Sequence, residues 1–230
     1  MTHRVFSRNA GSSRAIPIES LIKDIVDDPV EPIFMNNKKG MSAVEETTGW
    51  KLATAKLSWD TARNRAVSHA VELSKIGVHK QIANRLLEPF SHINVLVTAT
   101  EWDNFFNLRI SPEAQQEICE LAKSMKQVMY DSIPIEDVVH LPYIDDEDKK
   151  HFNNILFDLQ KISVARCARV SYLNFENKKD YKDDLRLFDQ LYTSKHMSPF
   201  EHTAFAMFEP EGLSRNFKGW VQFRESMEKV

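Results

Sequence analysis

Only six glycines are scattered through the 230 residues, and they form no phosphate-cradling loop. The eight histidines include no His-Glu-x-x-His signature and no other metal-ligand spacing, so no metal is expected. No apolar run approaches the ~18 residues of a membrane span, and no signal-peptide core is visible. Cys119 and Cys167 have neither metal nor redox spacing, which suits a reducing compartment. A Ser-His-Asp triad cannot be argued from residue order alone. The expectation is a cytoplasmic protein without a membrane anchor.

What is present is enough apolar material, 42% of residues, to bury a sizeable core in one domain or two small ones. The net charge of -3 gives no bulk reason to expect nucleic acid or a membrane surface as partner. One segment departs from that balance. Residues 1–17 hold His3, Arg4, Arg8 and Arg14, with no acidic residue before Glu19. An organelle transit peptide would need an amphipathic face, and Val5, Phe6 and Ile16 are too few to make one. A flexible basic arm for nucleic acid is a second reading. A folded anion site is a third, because Asn9, Gly11, Ser12 and Ser13 place turn formers and hydroxyls between arginines. Composition by itself favours a solvated basic terminus.

Helical spacing of Ile18, Leu21, Ile22 and Ile25 predicts a short helix stopped at Asp28 and Pro29. Residues 29–49 read as loop, and a long helix is predicted over 59–76 with Gly77 as its stop. A further helix is predicted over 80–87. The β-branched stretch 93–100 leaves strand and helix both open. Ser111 and Pro112 form a helix start, followed by a stripe of Ala114, Ile118, Leu121, Ala122, Met125 and Val128. Residues 131–146 read as an acidic connector, helices are predicted over 147–161 and 181–194, with an apolar stretch over 164–172 between them, and 203–208 reads as a strand. The fold class is helix-rich α+β.

Three clusters are dense in polar side chains. The first runs His3-Arg4-x-x-Ser7-x-Asn9-x-x-Ser12-x-Arg14, and the second is Asn104-x-x-Asn107-Leu108-Arg109 beside Trp102, Phe105 and Phe106. The third is His196-Met197-Ser198-Pro199-Phe200-Glu201-His202. Each has an ordinary explanation. Arginines on an arm are usually solvated, asparagines can line a polar helix face, and Ser198 to Glu201 spells a capping box.

Together the clusters resemble flavin-dependent thymidylate synthases. The first resembles that family's arginine signature. Phe105-Phe106-Asn107-Leu108-Arg109, with Pro112, Ala114, Gln115, Glu117 and Ile118, resembles its Asn-Leu-Arg segment and the helix after it. Ala168-Arg169-Val170-Ser171-Tyr172 and the third cluster resemble its remaining blocks, while residues 29–79 and 131–160 match nothing in it. In the family those two blocks precede the arginine signature. Here they follow it, so the chain reads as circularly permuted, which a fold tolerates when its termini are close. Thr2 stands where the signature has its first arginine, Ala10 replaces an acidic position, and Thr100 stands near where a flavin-contacting arginine is expected. The strand that leads into the signature is missing from its usual place, and Met1 reads as an internal start.

The resemblance implies a thymidylate synthase-complementing-protein-like fold over residues 1–230, with halves at 1–130 and 161–230 and a connector at 131–160. It implies methylation of dUMP by a homotetramer with bound FAD, with NADPH and methylenetetrahydrofolate as co-substrates. Ser12, Arg14 and Arg85 are the candidates for the phosphate, since arginine forks and hydroxyls make charge-assisted bonds to it. Arg109 is the candidate catalytic residue, beside the uracil ring. Gln222 and Arg224 are expected near Thr2 as replacement donors to the substrate. His3, Arg4, Asn104, Ser171, His196, Ser198 and Glu201 are the candidates for the flavin pocket. The family needs no cysteine nucleophile, and both cysteines read as small buried hydrophobes. The alternatives are a related pyrimidine-nucleotide protein with impaired synthase activity, weakened by Thr2 and Thr100, and a nucleic-acid-binding module using the basic arm.

Overall fold

A computed structural model describes residues 6–39, 43, 45–170 and 180–228. In chain order the elements begin with strand β1 (Ser7–Ala10), then helices α1 (Ile18–Asp27), α2 (Gly49–Lys75) and α3 (Lys80–Ala83). Strand β2 (Val95–Thr98), helix α4 (Asp103–Arg109), helix α5 (Gln116–Asp131) and strand β3 (Val139–His140) follow. Next come helices α6 (Asp146–His151), α7 (Leu156–Arg169) and α8 (Tyr181–Thr193). The chain ends with strands β4 (Ala204–Ala206), β5 (Leu213–Ser214), β6 (Phe217–Lys218) and β7 (Trp220–Gln222), then helix α9 (Phe223–Glu228). Short 3-10 turns lie at Ser13–Ala15, Asn84–Leu86, Glu88–Phe90 and Ser198–Glu201. The class is α+β, and no helix is long and apolar enough to cross a membrane among the described residues.

Two compact units divide the chain. The first joins Met1–Gly11, Asn94–Trp102 and Pro134–Val230. In it, β1 and β2 make an antiparallel ribbon with Ser7 opposite Thr98 and Asn9 opposite Leu96. A second sheet has the order β3-β4-β7, with Ala204 opposite Gln222, and β5 pairs with β6. Val164, Ala168, Phe188, Leu191, Met197, Phe200 and Phe223 form the core between α7, α8 and the Ser198–Glu201 turn. Gly219 adopts a φ of +73°, and a Cβ there would come within 2.8 Å of the Pro210 carbonyl oxygen, so the turn between β6 and β7 requires glycine.

The second unit joins Ser12–Ile93 and Asp103–Ile133. Its core gathers the inward stripe of α1 (Ile18, Leu21, Ile25) with Ala70, Ala83, Leu87 and Phe90. Trp59 donates its indole N–H to the Val30 carbonyl (2.8 Å) and meets the Phe90 ring edge-on. α4 packs on α5, with Phe105, Phe106, Cys119 and Ala122 buried.

Several expectations are corrected. α2 starts at Gly49, ten residues before the predicted start; its first turns carry Trp50, Leu52 and Leu57, but none of these is buried. α5 starts at Gln116. Ser111 closes a separate turn by accepting from the Glu113 amide (3.3 Å), and Gln115 is extended with ψ of 140°. Within the predicted stripe of α5, Ala122 is buried, whereas Leu121 and Val128 face solvent. The stretch 147–161 is broken between α6 and α7, with Asn153 and Asn154 at positive φ, and the apolar residues from Val164 to Val170 belong to α7 and its C-cap. The connector contributes β3. The Ser198 capping box does not form: Ser198 lies inside the 3-10 turn, whose cap position is Met197, and makes no cap bond. The basic terminus favoured by composition is a strand from Ser7 onward, with Ser7 and Asn9 buried and Arg8 exposed.

Candidate functional site

In the first unit, the alternation of β1 turns Ser7 and Asn9 to one face. Cross-strand partners share a face, so Thr98 joins them. This face meets polar side chains from the end of the Ser198–Glu201 turn and from β7. His202, fully buried at the C-cap of that turn, shares a 2.8 Å hydrogen bond between Nδ1 and Thr98 Oγ1. Gln222, also fully buried, donates from Nε2 to Ser7 Oγ (3.1 Å) and to Asn216 Oδ1 (2.7 Å). Asn216 donates in turn to Ser7 Oγ (3.2 Å), and Asn9 donates to the Cys167 carbonyl (3.3 Å). Each buried polar group here has at least one partner, as burial demands. Among the described residues, His202 Nε2 and Gln222 Oε1 are buried without one.

Burial, reinforced by His140, pushes the His202 imidazole down to about 4, and burial likewise lowers His140. The ring is therefore neutral at physiological pH. Burial pushes the Cys167 thiol far up, so it is no nucleophile. A cavity of ≈ 1100 Å³ in this unit is lined by Thr98, Thr100, Trp102, His140, Tyr143 and Trp220 among others. Thr100 accepts from the Lys218 amide (3.0 Å).

Beside this layer lies a buried ion network. Arg166 forks Asp148 through Nη1 (2.6 Å) and Nη2 (3.0 Å) and reaches Asp184 through Nε (3.2 Å). Arg169 Nε also donates to Asp184 (2.8 Å), and Tyr181 donates its hydroxyl to Asp148 (3.0 Å). Burial pushes the Asp148 carboxyl up, but these bonds outweigh it and hold the group well below the usual carboxylate range. Arg169 of the Ala-Arg-Val-Ser block is thus held by a carboxylate of α8.

The second unit treats its cations differently. Asn84 is fully buried and donates to the carbonyls of Ser13 (2.7 Å) and Ile16 (3.0 Å), stitching the Asn84–Leu86 turn to the Ser13–Ala15 turn. Lys80 secures the same turn through the Ala15 carbonyl (2.8 Å), and Ser13 donates to Glu88 (2.6 Å). Arg14 and Arg85 stand on these two touching turns, both exposed, and neither forms an ion pair among the described residues. Ser12 is half-buried beside them. Asn84 Oδ1 is buried without a partner among the described residues. Arg109 closes α4, exposed, one turn after the buried anchors Phe105 and Phe106. Asn104 is exposed at the start of that helix.

Of the sequence candidates, the structure therefore brings Ser12, Arg14 and Arg85 together, and sets Arg109 on its own anchored helix. In the first unit, His196 is exposed and lines an open groove of ≈ 630 Å³ along α8, with Ser198 half-buried nearby. Glu201 accepts from Arg224 Nη1, and Arg224 Nε donates to Glu228 (2.8 Å). Gln222 meets Ser7 of the first cluster and is fully buried. Arg224 is likewise engaged by two carboxylates. Thr2, His3, Arg4 and Ser171 lie outside the described residues. Sequence reasoning missed Thr98, His202, Asn84 and Arg166. Ser7 and Asn9 carried a period-two signal and His202 ended a recognised block, whereas nothing local marks Thr98.

A family model described as thymidylate synthase complementing protein matches residues 1–135, more than half of the chain. That span holds the arginine signature and the Asn-Leu-Arg segment. No curated protein and no solved structure matches the chain.

Proposed function

This chain belongs to the thymidylate synthase complementing protein family, and on that premise we propose that it methylates dUMP to dTMP using bound FAD, NADPH and methylenetetrahydrofolate. The observation that carries the reading is the pair of solvent-facing arginines, Arg14 and Arg85, on turns joined by buried Asn84. A phosphate dianion needs such forks, preset and not already neutralised by carboxylates. Ser12 adds a hydroxyl at the same place. Arg109 would meet negative charge developing on the pyrimidine, since a guanidinium carries delocalised positive charge and its helix is fixed by Phe105 and Phe106.

The residues proposed for the flavin divide by chemistry. His196 offers a polar group at a solvent-accessible groove, which fits a large polar cofactor, and Ser198 stands half-buried two residues further along the chain. Glu201, held by Arg224, orders the turn that carries Ser198. Asn104, with His3, Arg4 and Ser171, completes the set by resemblance. FAD would supply the redox chemistry and mediate one-carbon transfer, leaving the protein to orient substrates and place charge. Gln222 and Arg224 would serve this arrangement as supports for β1 and the turn, in place of direct substrate contact. The permuted order is supported by the buried layer itself, where Asn9 meets the carbonyl of Cys167, Ser7 meets Gln222 and Thr98 meets His202. Exposed Val128, Tyr130 and Ile133 supply apolar surface that a homotetramer would cover.

The test is an anaerobic assay with dUMP, methylenetetrahydrofolate, NADPH and FAD. Wild-type protein should form dTMP, and Arg109→Ala should lose about 100-fold or more in turnover, as for removal of one charge-stabilising donor. Equal product from both proteins would remove Arg109 from the chemistry. Absence of product with a flavin-saturated wild type would overturn the synthase reading.

A further inference from the structure

The last residue of the third cluster has a place that its motif does not explain. His202 closes the Ser198–Glu201 turn, and its only side-chain bond among the described residues is to Thr98 on β2. Thr98 sits opposite Ser7, which Gln222 bonds. Two rungs, His202 to Thr98 and Gln222 to Ser7, therefore land on one cross-strand pair of the ribbon. The turn also touches β1, and beyond it the Phe223 amide donates to the Thr203 carbonyl (2.8 Å), tying the next residue to α9. Ser198 and Glu201 are thus held at their C-terminal end by an imidazole whose other nitrogen makes no bond among the described residues.

We propose that His202 is a positioning residue: through Thr98 it locks the Ser198–Glu201 turn onto the β1–β2 ribbon, and this lock sets the affinity for flavin. The inference rests on the flavin reading above. Hydrophobic packing alone would hold the turn near the ribbon, since Pro199 and Phe200 are buried. A hydrogen bond adds direction, fixing the height at which the turn meets β2. Thr98 is the gentler handle for a test because its hydroxyl is part of the bond, while its methyl group can be kept or removed separately.

FAD is titrated into wild type, Thr98→Val and Thr98→Ser, followed by flavin fluorescence, with melting temperature measured on each. Thr98→Val, which keeps the shape and loses the hydroxyl, should bind FAD about tenfold more weakly, the effect of one lost hydrogen bond. Thr98→Ser should stay within about twofold of wild type. A valine variant that melts earlier yet binds FAD as tightly as wild type would show a role in stability alone and overturn the proposal. If wild type binds no FAD, the flavin reading fails by itself. The lock is then read from hydrogen exchange at the amides of β2 and of residues 198–202. Exchange at least about tenfold faster in Thr98→Val than in Thr98→Ser upholds the lock, and equal exchange refutes it.

Discussion

The two units use polar side chains in opposite ways. In the first, Ser7, Asn9, His202, Gln222, Asp148, Arg166 and Asp184 are buried and bonded mainly to one another or to enclosed carbonyls. In the second, Asn84 is the buried polar residue, and Arg14, Arg85 and Arg109 face solvent. A polar group taken out of water must find its partner inside the protein, so the first pattern builds a scaffold. Exposed, unneutralised guanidinium groups on fixed turns retain their capacity for an anion. Motif residues of one family thus divide into enclosed ones that shape the fold and exposed ones left open to a ligand. The contrast predicts stability losses at the buried ion network of the first unit, and ligand losses without stability change at the exposed arginines of the second.

The largest expected effect is in the ion network. Asp148→Ala removes the carboxylate that Arg166 forks and leaves the buried cation with the Tyr143 carbonyl and the Asp184 carboxylate, which it shares with Arg169. Breaking a buried pair in this way costs about 3–5 kcal/mol. Urea denaturation should show that loss in its midpoint. A variant as stable as wild type would mean that the network is no scaffold, and the contrast between the units would fail.

Acid comes next. His202 has its folded value depressed from 6.5 to about 4. Between those values the unfolded chain binds the proton and the folded chain does not, so stability is full above pH 6.5 and falls as pH drops toward 4. The loss amounts to ~3 kcal/mol, and depressed His140 adds to it with the same sign. Thr98 from β2 and His140 from β3 are the polar neighbours, and neither supplies a negative charge. Denaturant midpoints measured from pH 7 to pH 4.5 should decline in wild type and decline less in His202→Gln. Parallel declines would assign the acid sensitivity elsewhere.

How much of this was legible beforehand depends on whether the signal was local. α1 was readable because Ile18, Leu21 and Ile25 mark one face at helical spacing. The opening of α2 was not, since Ala70 is the sole buried residue of that helix and the apolar side chains of its early turns stay exposed or half-buried. Ser198-Pro199-Phe200-Glu201 has capping-box letters, but burial of Pro199 and Phe200 draws the segment into a 3-10 turn. Tertiary packing overrode the local pattern. Arg14 and Arg85 were identified by resemblance, 71 residues apart in sequence, and their meeting depends on Asn84, whose bonds reach back across |i−j| = 71 and 68. No window of sequence contains such a pairing. Thr98 was invisible as a site residue for the same reason, its partner being 104 residues away.

The smallest change in fold, and the most selective change in binding, belongs to Arg14→Ala and Arg85→Ala. Both side chains are exposed and unpaired among the described residues, so each substitution should alter stability by no more than about 0.5 kcal/mol. Each removes a charge-assisted bond to phosphate, worth ~1.5–3 kcal/mol, so dUMP should bind about tenfold to a hundredfold more weakly. Deoxyuridine, which has no phosphate, should bind all three proteins alike. That comparison separates a phosphate contact from a general loosening of the turn. Calorimetric titration of dUMP and deoxyuridine into wild type and both variants reads it directly. If dUMP affinity is untouched, the exposed arginines of the second unit are ordinary solvated cations, and the division between shaping and binding residues is lost there.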